Sequence, residues 1–214
     1  MNFQDLKRGF QAEVKNIEKQ LAEFPWENKE VYANWCAQTY HYVCHSTRLL
    51  AVSAGIIPLD MDELYYRYIA HLKEESGHEK LALRDVEKLG YSLADFPELA
   101  VTSSFYQTQY YLIEHVSPFS FFGYILILEG LSANYGKKCH ARALKAHGSD
   151  TANFWRVHAE DDPEHVGKAF EYIKKLNECE YEAIYRNLWQ SRERYGELLD
   201  KTARTAVRKS REAA

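Results

Sequence analysis

The segment FWRVHAEDDPEHVGKAF, residues 154–170, carries His158, Asp162 and His165. On an α-helix the offsets i, i+4 and i+7 share one face, so the three side chains can converge on one point. Their neighbours Phe154, Trp155, Val157, Val166 and Phe170 are apolar, which predicts a largely buried helix. Two imidazoles and a carboxylate buried without partners would be costly. A metal ion removes that cost by making each of them a ligand. Pro163 lies within the same run and removes a backbone donor, so a kink or local opening is expected there. Without metal, the stretch 155–170 is expected to lose its order.

A second cluster lies in HLKEESGHEKLALRD, residues 71–85. Glu75 and His78 are three apart and share a helix face; Glu-x-x-His is the spacing of carboxylate-bridged dimetal bundles. Glu74 competes for the carboxylate role, and Glu75 is preferred. His71, one turn earlier, is a candidate for supporting the ligands from outside, together with Glu74. Asp85 is expected to pair with Arg84 or Lys88. The third element is FFGYILILEGLSANYG, residues 121–136, where Glu129 is the only charge between Pro118 and Lys137. A lone carboxylate in an apolar helix is a ligand, a pKa-shifted acid or half of a buried ion pair. Beside the other two clusters, ligand is the most economical choice.

Together Glu75, His78, Glu129, His158, Asp162 and His165 supply three nitrogen and three carboxylate donors. That mixture suits iron, with manganese as the alternative, and carboxylates can bridge two ions. Donors from separate helices fit a two-metal geometry with ions about 3.5–4 Å apart. Cys36, Cys44, Cys139 and Cys179 form no CxxC pair, so they are expected to be free thiols behaving as small apolar groups.

A substrate pocket is expected beside the metals, between the second, fourth and fifth helices. His41 and His45 stand at i, i+4 with no obvious third ligand, so they are placed in the pocket wall with Trp35. Tyr106 and Tyr110 are candidate hydrogen-bond donors to a substrate. Arg48 is a candidate clamp for a carboxylate.

Seven helices can position these groups. The 3.6-residue period and the Pro and Gly stops predict helices over about 3–24, 28–54, 60–89, 97–115, 118–147, 150–176 and 178–208. Ser149 or Asp150 is the expected cap of the sixth. No segment alternates as a strand would, so the fold class is an all-α bundle spanning residues 1–214 as one domain. Of the 214 residues, 46% are hydrophobic, enough for a sizeable core. The net charge of −4 argues against a nucleic-acid surface, and the basic run 204–211 is expected to be a solvated helix end. No apolar run reaches the roughly 18 residues of a membrane span. A cytoplasmic location, a small-molecule substrate and a homodimer through the long terminal helices are the accompanying expectations.

The chain resembles the haem-oxygenase-like dimetal oxidases, the iron-containing redox enzymes. The resemblance rests on EESGH at 74–78, LILEGLSANYG at 126–136 and HAEDDPEH at 158–165, in family order, within about residues 30–176. It implies a seven-helix haem-oxygenase-like fold, two Fe(II) ions per chain and O2 as co-substrate. By position, Glu75, His78, Glu129, His158, Asp162 and His165 are the implied ligands. Members oxidise amino acids at nitrogen or across C–C bonds, or decarboxylate fatty acids. An amino-acid-type substrate is the first expectation and a fatty acid the second. The alternatives from other classes are a thiaminase II-like metal-free enzyme using Cys139 and a non-catalytic metal-binding helical protein.

Overall fold

The computed structural model describes residues 1–212, with side chains as far as Thr205, so the basic run 204–211 falls almost wholly outside the described side chains. No strand occurs among the described residues. The helices are α1 (Phe3–Asn16), α2 (Glu18–Glu23), α3 (Lys29–Val43), α4 (Ser46–Gly55), α5 (Asp62–Glu74), α6 (Glu79–Lys88), α7 (Ala100–His115), α8 (Phe121–Leu131), α9 (Lys137–His147), α10 (Asn153–Ile173) and α11 (Glu178–Glu212).

These are the seven expected rods, four of them interrupted. The first breaks at Ile17, the second at Cys44–His45 and the third between Glu75 and His78. In the fifth, a π-helical turn over Ser132–Gly136 joins α8 to α9. A break that keeps the chain's direction leaves the apolar period intact, which is why periodicity alone does not reveal it. The rods Lys29–Gly55 and Leu59–Lys88 meet at 118°. No single described helix is long and apolar enough to cross a membrane.

Local chemistry explains the helix starts. Asn2 caps α1 in a reciprocal box with Asp5, and Asn28 accepts the backbone N–H groups of Glu30 and Val31 at the start of α3. Helix α10 is different. Neither Ser149 nor Asp150 caps it; those residues form a short 3₁₀ turn instead. Its cap comes from α6. The Asp85 carboxylate, fully buried, accepts the backbone N–H of Asn153 at 3.0 Å and of Phe154 at 2.9 Å. The expected pairing of Asp85 with Arg84 or Lys88 is replaced by this long-range cap. Helix α10 also runs unbroken through Pro163, without the expected opening.

The core is strongly aromatic. Trp26, Trp35 and Trp155 are fully buried and in mutual contact, with the Trp35 and Trp155 rings stacked at 4.8 Å. Helix α11 packs along α8, and Gly123 makes that approach possible. A Cβ there would lie 2.3 Å from the Ile184 carbonyl oxygen and 2.5 Å from the Leu188 nitrogen. Only a residue without a side chain fits.

A candidate dinuclear metal centre

The break between α5 and α6 sets the first donors. Glu75 ends α5 and His78 precedes α6, so they flank a turn rather than share a continuous helix face. Gly77 makes the turn with φ +95, a backbone region that favours glycine. Helix α8, apolar on all sides, brings Glu129 to the same place, and α10 brings His158, Asp162 and His165. All six residues expected as ligands therefore line one region between α5, α6, α8 and α10.

Five of the six, joined by His71, form two donor groups that share Glu75, and Asp162 stands beside the first group without belonging to it. His71, Glu75, Glu129 and His165 offer donor atoms within 4.8 Å of one another, and so do Glu75, His78 and His158. Within the first group, His71 Nε2 lies 2.8 Å from Glu129 Oε1 and 3.6 Å from Glu75 Oε1. His165 Nδ1 lies 3.8 Å from Glu129 Oε1 and 3.4 Å from Asp162 Oδ1. These are ligand-edge distances: two bonds of about 2.1 Å at a right angle put their ligand atoms roughly 3 Å apart.

The angles distinguish this arrangement from ordinary pairing. His71 Nε2, His165 Nδ1, Asp162 Oδ1 and Glu129 Oε2 are buried yet make no hydrogen bond. The 2.8 Å contact between His71 and Glu129 therefore lacks hydrogen-bond alignment. Buried polar atoms without partners cost about 1–3 kcal/mol each. Four in one spot fit a missing common partner, and N and O donors of this kind suit a divalent transition metal.

Neighbouring groups prepare the donors. His158 Nδ1 lies 2.9 Å from the Phe154 carbonyl oxygen, to which it donates, so Nε2 keeps its lone pair. Burial holds the His158 pKa below its ordinary value, which keeps the ring neutral. Burial opposes protonation of His71 too, but Glu129 and Glu75 outweigh it and lift its pKa to about 9. Burial raises Asp162 to about 7, with Glu129 and Glu75 pushing the same way. For Glu75, burial is outweighed by His71, His78 and His158, and its carboxyl sits well below the usual range.

Glu74 faces away from this centre. Its Oε2 accepts from Arg67 at 2.9 Å and lies 3.7 Å from His165 Nε2, on the outer side of that ring. Glu75 belongs to both donor groups and Glu74 to neither. His71, expected to support the ligands from outside, offers its own ring nitrogen to the first donor group.

A cavity opens beside the centre. Its walls include Val43, Leu50, Phe121, Ile125, Leu128, Trp35 and Trp155, with no Lys or Arg among the described residues. The Tyr124 hydroxyl and Trp155 Nε1 line it without hydrogen-bond partners. Of the six residues expected in the substrate wall, only Trp35 lines this cavity. His45 stacks on Tyr106 at 3.7 Å and pairs with the Tyr110 hydroxyl at 3.0 Å, and His41 Nε2 lies 3.3 Å from the Phe96 carbonyl. Arg48 is exposed and donates to the Cys44 carbonyl. These five satisfy one another or the backbone because α7 turns its tyrosines to a different face. The residues missed in the sequence, Tyr124 and Trp155 among them, come from α8 and α10, whose all-round burial hides which side faces a cavity. Cys36 and Cys139 are buried and all four cysteines are free. Cys139 lies outside this cavity's walls, and burial pushes its thiol up to about 12.

Two solved structures share the architecture. One is a domain of unknown function with a heme oxygenase-like fold from Shewanella denitrificans OS217. It is 19% identical, with a TM-score of 0.80 over 94% of this chain and 92% of that one. The other is a TenA homolog from Pseudomonas syringae pv. tomato DC3000. It is 10% identical, with a TM-score of 0.74 over 93% and 91% of the two chains. A search of curated proteins gives no match. The fold is thus heme oxygenase-like, and the family model for iron-containing redox enzymes matches residues 33–196. With most of its length matched, the chain belongs to the iron-containing redox enzyme family.

Proposed function

We propose that this protein is a non-haem di-iron oxidoreductase that uses dioxygen to oxidise a small substrate with an apolar body and an anionic head. The observation that carries the proposal is the pair of donor groups joined through Glu75. Glu75, His78, Glu129, His158, Asp162 and His165 would hold two Fe(II) ions, with manganese as the substitute. Bound iron would supply the electron transfer to dioxygen that no amino-acid side chain here provides.

The chain's own residues do the rest. Glu75 presents one oxygen toward each donor group, its Oε1 toward His71 and its Oε2 at 3.0 Å from His78 Nδ1. Phe154 fixes the His158 ring through its carbonyl and by stacking at 4.0 Å. Phe121, Ile125, Leu128 and Phe154 keep water from the reacting face. The Tyr124 hydroxyl is free to donate a hydrogen bond to bound substrate.

The cavity favours a fatty-acid-type monocarboxylate over an amino acid. An amino acid would bring an ammonium group as well as a carboxylate into apolar walls, and desolvating that charge is expensive. Among the described residues no Lys or Arg lines the cavity to hold the carboxylate, and Arg48 donates to the Cys44 carbonyl instead. The cations of the metal pair are the remaining anchor for an anion.

Anaerobic loading with Fe(II), then exposure to O2 with aliphatic carboxylates or amino acids, tests this. Two irons per chain and O2 uptake stimulated by carboxylates are expected. Two irons with no O2 uptake under any condition would instead indicate a storage or structural metal site. Activity surviving chelation and lost in Cys139→Ala would indicate a metal-free, thiaminase-like enzyme.

A further inference from the structure

We infer that His71 is itself a metal ligand, so that the centre holds four histidines and three carboxylates, with two imidazoles on each side of Glu75. This inference rests on the dinuclear centre proposed above and extends its donor set.

His71 is 4% exposed and sits on α5 one turn before Glu75. Its Nε2 belongs to the donor group of Glu75, Glu129 and His165. A histidine that merely steadied a ligand would donate a well-aligned hydrogen bond to it. Aligned bonds do form at the neighbouring rings through one nitrogen, leaving the other for a metal: His78 Nδ1 with Glu75 at 3.0 Å, and His158 Nδ1 with the Phe154 carbonyl at 2.9 Å. His71 Nε2 makes none, although Glu129 Oε1 is only 2.8 Å away. The two atoms are close without an aligned bond between them. That is how two neighbouring ligands stand around one ion.

The nitrogen count follows the same division. Without His71, one donor group holds a single imidazole, that of His165, while the other holds His78 and His158. With His71, each holds two. Charge then selects the substrate. Three carboxylates, Glu75, Glu129 and Asp162, face two divalent cations, leaving one net positive charge. A neutral imidazole at position 71 preserves that charge, where a fourth carboxylate would cancel it. A monoanionic head is the ligand that completes neutrality in a cavity whose described walls carry no Lys or Arg.

Cobalt(II) loading with paramagnetic NMR reads the donors directly. Each imidazole bound to cobalt gives one strongly shifted exchangeable N–H signal. Four such signals are expected from the wild-type protein and three from His71→Gln. Three in the wild type, or an unchanged count in a folded His71→Gln, would overturn the inference while leaving the dinuclear centre standing. Failure of the wild-type protein to bind cobalt would overturn both. The wild-type count decides the matter even if His71→Gln does not fold. Titrating the loaded protein with a straight-chain monocarboxylate should shift these signals, and an equally long primary amine should not.

Discussion

The Asp85 carboxylate holds the Phe154 backbone N–H at 2.9 Å, tying the helix that follows His78 to the helix that carries His158. The same carboxylate also takes the backbone N–H and side-chain amide of Asn153. Burial raises the Asp85 pKa despite those three bonds. Asp85→Ala leaves the buried Phe154 donor unpaired, at about 1–3 kcal/mol, and the part-buried Asn153 donor unpaired at less. A chain of this size loses roughly 2–4 °C of Tm per kcal/mol. Thermal melts should therefore fall by several degrees, and metal titration should show weaker binding because His158 loses its fixed starting point. An unchanged melt would refute the cap.

Glu74 and Glu75 are adjacent but separable. Glu75→Gln removes the shared carboxylate and should abolish binding of at least one ion, read by elemental analysis of the anaerobically loaded protein. Glu74→Gln removes the charge that pairs with Arg67 and Lys168 and lies 3.7 Å behind the His165 ring, so the stoichiometry should hold while affinity drops modestly. Equal effects of the two substitutions would contradict the geometry.

Protons and metal compete for the same atoms. His71 is raised to about 9 and Asp162 to about 7, each above its ordinary value. A group with a raised native pKa stabilises the fold while protonated, and that contribution fades as pH climbs toward the native value. The metal-free protein should therefore lose stability from this pair as pH rises, through about 7 for Asp162 and about 9 for His71. A metal held by both groups would require them deprotonated, so its binding should gain over the same range. Melts with and without Mn(II) at about pH 6 and pH 8 should show a larger metal-induced increase at the higher pH.

Gly123→Ala tests how Glu129 is placed. The added methyl would press on the backbone of α11, at Ile184 and Leu188, which has no rotamer to yield. A cost of about 1–3 kcal/mol or more is expected. Because Glu129 lies less than two turns along the same helix, metal affinity should fall along with the melting temperature. A melt equal to wild type would show that α8 moves freely against α11.

Much of this centre is legible in the chain. His158, Asp162 and His165 fall on one helix face by spacing alone, and Glu129 is conspicuous as a charge in an apolar segment. The bundle itself follows from the 3.6-residue period. What local pattern hides is tertiary. Glu74 and Glu75 are about 100° apart on a helix, and which one points inward depends on where α5 stops. Asp85 caps a helix 68 residues away, so no neighbouring residue signals its role. His45, Tyr106 and Tyr110 look like a pocket wall because aromatic and polar groups recur there, yet they pair with one another. Tyr124 and Trp155 are lost among other buried aromatics until the cavity shows which side they face.

The stacked indoles have a practical consequence. Three of the four tryptophans, Trp26, Trp35 and Trp155, form one contiguous cluster, and two of these line the metal-side cavity. The fourth, Trp189, is 45% exposed on the long final helix. Intrinsic fluorescence is thereby split in two: a blue-shifted emitter close enough to the centre to be quenched by a paramagnetic ion, and a solvent-facing emitter that serves as an internal standard. If the proposed centre fills, the protein would report its metal occupancy optically, with no dye or label required.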